Sequence, residues 1–229
     1  MIDLHAHVLP LIDDGSESLD LSLEMLREAS GQGVTDMVLT PHLNKRYDLS
    51  VNKVKSAFED FKVKAKDNGC AVNLYLGQEI YVGRSFEKVF SKDNFLTMNN
   101  TPFVLLEFDY NIEFDIAETV YRLKRQGYKP IIAHFERYSY ADISVAREVK
   151  DIGGYIQVNA DSCISGLSFF GDAKIKSLFR ENLVDFVASD VHSFRKSRLK
   201  KAKENIEKKY GEQVADAVFN KNALEIIKG

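Results

Sequence analysis

The chain has 229 residues, 45% of them hydrophobic and 28% charged, which gives enough apolar material for a sizeable core and excludes disorder as the default state. A formal charge of −3 leaves no broad basic surface for a nucleic-acid backbone or an anionic membrane, so no nucleic-acid partner is expected and any phosphate must be met locally. No run of about 18 apolar residues occurs and Met1 leads straight into a strand, so neither stable membrane insertion nor a secretory segment is expected, and the localisation that follows is cytoplasmic.

The first element is an apolar strand that ends in His5-Ala6-His7. Side chains of a strand alternate, so both imidazoles project to the same side and can share a metal ion. Asp13 and Asp14 follow on a turn closed by Gly15, bringing hard oxygen donors close to the nitrogens. Leu19, Leu23, Leu26 and Ala29 then repeat at helical spacing behind Ser16, the capping candidate, and Gly31 and Gly33 end the pattern. Residues 34–40 read as a buried strand, stopped by Pro41 and followed at once by His42.

Val51, Val54, Phe58, Phe61 and Ala65 define a second amphipathic helix ending at Asn68-Gly69, and a strand over 71–77 runs into Gln78-Glu79. A fourth apolar run, 103–106, leads into Glu107. A helix through Ile116, Val120 and Leu123 closes at Gly127, and the strand 130–133 delivers His134. Ala146, Val149 and Ile152 mark the next helix, closed by Gly153-Gly154, before a strand over 155–158 with polar Asn159 at its end. Ile175, Leu178 and Phe179 form a short helical face, and the strand 184–188 delivers Asp190 and His192. The rest is helical with a charged, solvated outer face.

Seven strand-then-helix units without a long linker or repeat predict one α/β domain over 1–229 with parallel strands, because each helix is a crossover. Seven strands suit a barrel better than an open sheet, and in such barrels the reactive groups sit at the carboxyl ends of the strands. All five histidines, His5, His7, His42, His134 and His192, fall there, joined by Asp14, Glu79, Glu107 and Asp190. So many donors exceed the needs of one tetrahedral ion, so two or three are expected. Imidazole mixed with carboxylate suits manganese, iron or zinc better than calcium.

The two cysteines, Cys70 and Cys163, form neither a disulfide framework nor a C-x-x-C motif and read as buried structural thiols. A cysteine-based phosphatase loop needs an arginine at a fixed spacing after its nucleophile, and here those positions hold Leu76 and Phe169.

His5-Ala6-His7, Asp14-Gly15, Thr40-Pro41-His42, Gly77-Gln78-Glu79-Ile80, Leu106-Glu107-Phe108, Ala133-His134-Phe135-Glu136-Arg137-Tyr138, Gln157-Val158-Asn159-Ala160 and Ala188-Ser189-Asp190-Val191-His192 together resemble the polymerase-and-histidinol-phosphatase (PHP) superfamily. Within it they are most similar to the bacterial manganese-dependent protein-tyrosine phosphatases of capsule and exopolysaccharide operons. The resemblance covers nearly the whole chain in order. It implies a distorted, TIM-like (βα)7 barrel with three metals at its open end. By the same resemblance His5, His7, Glu79 and Asp190 hold one ion, Glu79 bridges to a second held also by Glu107 and His134, and Asp14, His42 and His192 hold the third. The implied substrate is phosphotyrosine on the tail of an autophosphorylating tyrosine kinase that controls polysaccharide synthesis.

Departures from the family pattern are Phe135, where proline is usual, and Ser193, where asparagine is usual. Arg137 matches the family's phosphate-binding arginine. At the position of the second stands Ser197; Arg198 restores the match if one residue is inserted, with Arg195 as the alternative. The expected chemistry is in-line attack on phosphorus by a metal-bridging hydroxide, with Arg137 and Arg198 on the phosphoryl oxygens and Asp190 or His192 as proton donor if one is needed. Tyr47, Phe135, Tyr138 and Phe194 are candidates to wall a slot for the phenyl ring, while Phe169 and Phe170 are expected to pack in the barrel. Competing readings are a histidinol-phosphate or other small phosphomonoester phosphatase, a PHP nuclease, and a non-catalytic metal-binding regulator.

Overall fold

The computed structural model describes residues 1–47, 50–83, 94–164 and 172–228. Its strands are β1 (Ile2–Ala6), β2 (Asp36–Leu39), β3 (His42–Leu43), β4 (Asn73–Leu76), β5 (Glu79–Val82), β6 (Phe103–Phe108), β7 (Lys129–Ile132), β8 (Tyr155–Asn159) and β9 (Phe186–Ala188). Around them lie α1 (Leu19–Gly31), α2 (Val51–Asp67), α3 (Ile116–Arg125), α4 (Ile143–Ile152), α5 (Asp172–Arg180), α6 (Leu199–Tyr210), α7 (Glu212–Phe219) and α8 (Leu224–Lys228). Phe169 and Phe170 lie outside the described residues.

Every strand pairing is parallel, in the orders β1-β2-β4 and β3-β5-β6-β7-β8-β9. The two sheets are one curled wall. β2 and β3 are halves of one strand broken at Thr40-Pro41, because proline has no N–H for the ladder, and β4 and β5 are halves of another broken at Gly77-Gln78. The far edge returns to β1: Asp190 N–H donates to His5 O at 2.9 Å and His7 N–H to Val191 O at 3.0 Å. The seven expected strand positions are thus present as a distorted barrel, but the second and third run past the breaks where the sequence pattern ended them.

The helices form where the apolar spacing placed them. α1 buries Leu23, Met25, Leu26 and Ala29. Its N-cap is Ser18, which accepts from Leu21 N–H at 3.2 Å, and not Ser16. Ser16 Oγ donates to Ser18 O at 3.0 Å and accepts from Ser22 Oγ–H at 2.8 Å, so its hydroxyl is used up inside the loop. Cys163 is buried, its thiol pushed up by burial, whereas Cys70 is only half-buried. Among the described residues no helix is long and apolar enough to cross a membrane.

Candidate metal centre

At the amino ends of the strands the interior is closed by Ile2, Leu4, Val38, Phe103, Leu105, Ile131, Ala133 and Phe186 in one apolar cluster. The strand period carries the same rows to the other end: Phe103 and Leu105 are followed two residues on by Glu107, Phe186 by Ala188 and Asp190, Tyr155 by Gln157 and Asn159. In β1 the register slips between Asp3 and Ala6, and a bulge of this kind re-aims side chains: Ile2 and Leu4 belong to the apolar cluster, yet His5 and His7 face the centre. His134 and Asp190 arrive on left-handed backbone, φ 35° and 49°, a strained conformation for residues other than glycine that is typical of functional sites. Gly15 is required by proximity, since a Cβ there would lie 2.0 Å from His7 O.

The donors converge. His5 Nε2 stands 3.1 Å from His7 Nε2, 3.3 Å from Glu79 Oε1 and 3.6 Å from Asp190 Oδ1; His7 Nε2 is 3.4 Å from Glu79 Oε2 and 3.7 Å from Asp190 Oδ1. Donors bound about 2.1 Å from one ion sit roughly 3–3.5 Å apart, so this spacing fits a shared cation. Glu79 Oε1 also lies 2.9 Å from His134 Nε2, which is 3.8 Å from Glu107 Oε1. Asp14 Oδ1 is 3.5 Å from His42 Nε2 and 3.9 Å from His192 Nε2. His42 reaches both regions, its Nδ1 2.8 Å from Glu79 Oε2 and 3.9 Å from Glu107 Oε2. All nine expected donors therefore meet at one mouth.

Residues behind them fix their orientation. His5 Nδ1 faces Gln157 Oε1 at 3.2 Å, an oxygen that also accepts from His134 N–H at 2.8 Å. His7 Nδ1 donates to Asp13 Oδ2 at 2.7 Å. With Nδ1 of each ring turned to Gln157 or Asp13, the two Nε2 atoms face each other at 3.1 Å beside Glu79 and Asp190, an arrangement that suits positive charge, a proton or a metal ion, held between them. His42 Nδ1 is likewise buried without an aligned hydrogen-bond partner, despite its closeness to Glu79. The residues present therefore fit divalent metal binding.

Electrostatics follow the same geometry in the metal-free chain. Burial opposes charge on His5 and His7, but Glu79 and Asp190 push His5 up to about 9, and Asp13 with Glu79 pushes His7 up to about 10. Burial also opposes ionisation of Glu79, yet His5, His42 and His134 hold it well below the usual carboxylate range. Burial and the charge of Glu79 push Glu107 up to about 7. His192 drops to about 4 through burial and the charge of His7.

Asp190 faces two ways. Its Oδ1 looks to the histidines, while its Oδ2 accepts from Asn159 Nδ2 at 2.8 Å, Arg195 at 2.8 Å and Arg137 at 3.2 Å. Arg198 instead pairs with Asp161 at 3.1 Å, so of the two candidates it is Arg195 that reaches the donor cluster.

The expected ring-binding wall changes in membership. Phe135 and Tyr138 are fully buried, Tyr138 beneath His134 with its hydroxyl 3.2 Å from Nδ1, so neither can touch a ligand at the mouth. Tyr47 stacks by His42 and exposed Phe194 lies 5.1 Å from the His192 ring. Sequence reasoning missed Asp13, Gln157 and Asn159 as orienting groups, and Tyr110, whose hydroxyl donates to Glu107 Oε1 at 3.0 Å. The available signal was position: Asp13 adjoins the expected donor Asp14, Tyr110 follows Glu107 on the same loop, and Gln157 and Asn159 alternate on the last residues of a strand between those that deliver His134 and Asp190.

The parallel barrel, with imidazoles and carboxylates ringed at its strand ends, has the PHP fold of the metal-dependent phosphatases that it superposes on. A family model for capsular polysaccharide synthesis proteins, CpsB/CapC, matches residues 1–228, and the chain belongs to that family. The tyrosine-protein phosphatase CpsB of Streptococcus agalactiae is 30% identical over 240 residues, covering 100% of this chain and 98% of that protein. The tyrosine-protein phosphatase YwqE of Bacillus subtilis is 32% identical over 222 residues, covering 93% and 87%. The solved structures of YwqE from Bacillus subtilis and CpsB from Streptococcus pneumoniae, metal-dependent tyrosine phosphatases, superpose with a TM-score of 0.89 at 28% identity, covering 99% and 94% of the two chains. Histidinol phosphate phosphatase from Lactococcus lactis, solved with zinc, histidinol and phosphate, shares the fold with a TM-score of 0.57 at 13% identity and coverage of 90% and 92%.

Proposed function

We propose that this chain is a metal-dependent protein-tyrosine phosphatase, acting in the cytoplasm on the phosphorylated tail of a bacterial tyrosine kinase that controls capsule or exopolysaccharide synthesis. The observation that carries the reading is the junction at Asp190, where a cluster of metal donors on one carboxylate oxygen adjoins two guanidinium groups on the other. In this reading His5, His7, Glu79 and Asp190 would hold one ion, Glu79, Glu107 and His134 a second, and Asp14, His42 and His192 a third. Manganese is the proposed metal, with iron and zinc as alternatives that the same donors accept. When bound, such ions supply Lewis-acid polarisation of the phosphoryl oxygens and of the attacking water.

The chain's own groups do the rest. Arg137 and Arg195 take the nonbridging phosphoryl oxygens, since planar guanidinium matches phosphate geometry and stabilises the charge that builds up in the transition state. Asp190 keeps both turned toward the centre, and Arg198, tied to Asp161, is the alternative second arginine. Gln157 and Asp13 keep the Nδ1 protons of His5 and His7, leaving Nε2 free to bind. His192 and Asp190 are both deprotonated at neutral pH, so the phenolate departs without a dedicated acid, as its modest basicity permits.

The test is a side-by-side assay. Chelation should abolish hydrolysis and manganese should restore it most fully. A phosphotyrosine peptide should then exceed both a phosphoserine peptide and histidinol phosphate in kcat/KM. A clear preference for histidinol phosphate, or full activity in metal-free protein, overturns the proposal.

A further inference from the structure

The loop after β6 places an aromatic ring at the junction of the donor cluster and the phosphate-binding arginine. Asp109 pins this loop: its carboxylate accepts from Asn111 N–H at 2.8 Å, from Ile112 N–H at 3.0 Å and from the Tyr81 hydroxyl, and its carbonyl accepts from Tyr140 Oη at 2.9 Å. Tyr110 is thereby laid flat on the buried ring of Tyr138, centroids 5.6 Å apart at 20°. Its outer face carries Arg137, the guanidinium carbon 5.1 Å from the ring centroid. Its hydroxyl donates to Glu107 Oε1 and lies 3.3 Å from His134 Nε2.

We propose that Tyr110 is a positioning residue with two separable duties: its ring is the plate on which Arg137 lies facing the phosphate, and its hydroxyl aims the Glu107 carboxylate at the metals. The inference rests on the phosphatase reading above. Arg137 spans the mouth from Tyr110 to Asp190, and a long, rotamer-rich side chain at a partly open rim needs both ends held to stay pre-organised. A phenol suits the second duty because it is a neutral donor. A lysine or arginine at that place would orient Glu107 equally well but cancel the negative charge a cation requires.

The experiment compares Tyr110→Phe with Tyr110→Leu, using calorimetry of manganese binding to metal-free protein and of inorganic phosphate binding to manganese-loaded protein. Tyr110→Phe keeps the plate, so phosphate affinity should stay within about twofold of wild type while manganese affinity falls about tenfold, the usual effect of removing a group that orients a ligand. Tyr110→Leu should show the same metal defect and in addition bind phosphate roughly five- to tenfold more weakly through loss of the cation–π contact. Wild-type affinities in both variants overturn the proposal, as does an equal loss of phosphate affinity in both. If the wild type binds no phosphate when loaded with manganese, the phosphatase reading falls and this inference with it. A normal wild type with unaffected variants sinks the Tyr110 assignment alone.

Discussion

Phe103 and Glu107 lie four residues apart on one strand and face the same interior, yet they belong to ends of the barrel built to opposite rules. At Phe103 the rows begin with Ile2, Val38, Ile131 and Phe186, sealed from below by Ala223 and Ile226 near the C-terminus, with Lys129 reaching over the ring of Phe103. At Glu107 the same rows finish in buried carboxylates and imidazoles, with His134 and Asp190 on strained backbone. The apolar end gains free energy from every contact. The polar end carries desolvated charges whose mutual arrangement makes sense around cations, which is where function concentrates in barrels of this kind.

The sharpest way to break this comparison is to cut one residue at each end. His5→Ala or Asp190→Ala should remove metal and lower turnover about a thousandfold or more, since metal-assisted charge stabilisation is worth several kcal/mol. The same variants should retain far-UV circular dichroism. Phe103→Ala should do the reverse, destabilising the fold by about 3–5 kcal/mol while the folded fraction keeps its metal stoichiometry and kcat. Metal analysis beside denaturant unfolding decides it, and a Phe103 variant with lost metal would show the two ends to be coupled. Next in size is Arg137→Ala, which should keep its metals and lower kcat/KM about 10- to 100-fold through loss of charge-assisted hydrogen bonds to phosphate. Equal metal loss in Arg137→Ala and His5→Ala would make Arg137 a structural residue.

How far each end was legible in the chain follows from the same contrast. Apolar periodicity located the helices and the parallel strands, because burial on the wall of a barrel leaves a period in the sequence. His-x-His and histidines directly after strands located most of the donor ring. What stayed hidden were relations between distant strands. Pro41 read as a strand end, yet His42-Leu43 resumes pairing with Glu79-Ile80. Phe135 and Tyr138 read as rim aromatics, but the left-handed turn at His134 folds them under the mouth. Arg195 and Arg198 differ by three residues, and only the backbone after His192 determines that Arg195 meets Asp190 while Arg198 meets Asp161.

A smaller effect sharpens the electrostatic side of the comparison. In the metal-free chain His5 and His7 sit at about 9 and about 10, above the ordinary histidine value, so their protonation stabilises the fold fully below about pH 6.5 and that contribution is lost as pH rises through 9 and 10. Metal must displace those protons. Affinity for manganese should therefore rise between pH 7 and 9, by up to about tenfold per pH unit for each proton released. Calorimetry in two buffers of different ionisation enthalpy should register that release; binding with no proton release and no pH dependence would contradict the arrangement of His5 and His7 around Glu79. The titrating groups beside Phe103 are Lys129, 4.8 Å over its ring, and Tyr155, with centroids 5.2 Å apart, and both are shifted upward from their already high ordinary values, so the stability loss of Phe103→Ala should be the same at pH 7 and pH 9.

The smallest expected effect lies on the rim, where Lys45 and Arg46 directly precede Tyr47, and Arg195 and Lys196 directly follow Phe194. Arg46 stacks 5.1 Å from the Tyr47 centroid and Arg195 lies 5.9 Å from that of Phe194, so two of the four cations are held beside the aromatic surfaces rather than free to range. Their field acts on an approaching anion before contact. A tail carrying several phosphates feels it through each of them, whereas a singly phosphorylated peptide feels it once. The Debye length falls from about 30 Å at 0.01 M to about 10 Å at 0.1 M salt, so attraction across the rim is screened over the ordinary laboratory range. The kcat/KM advantage of a multiply over a singly phosphorylated tyrosine peptide should accordingly shrink with salt, roughly threefold over that range, with the change in KM rather than kcat. Lys45→Ala with Lys196→Ala should flatten the salt dependence without altering hydrolysis of a small aryl phosphate. An undiminished advantage at high salt would place the preference in direct contacts with Tyr47 and Phe194 instead of in the rim's charge.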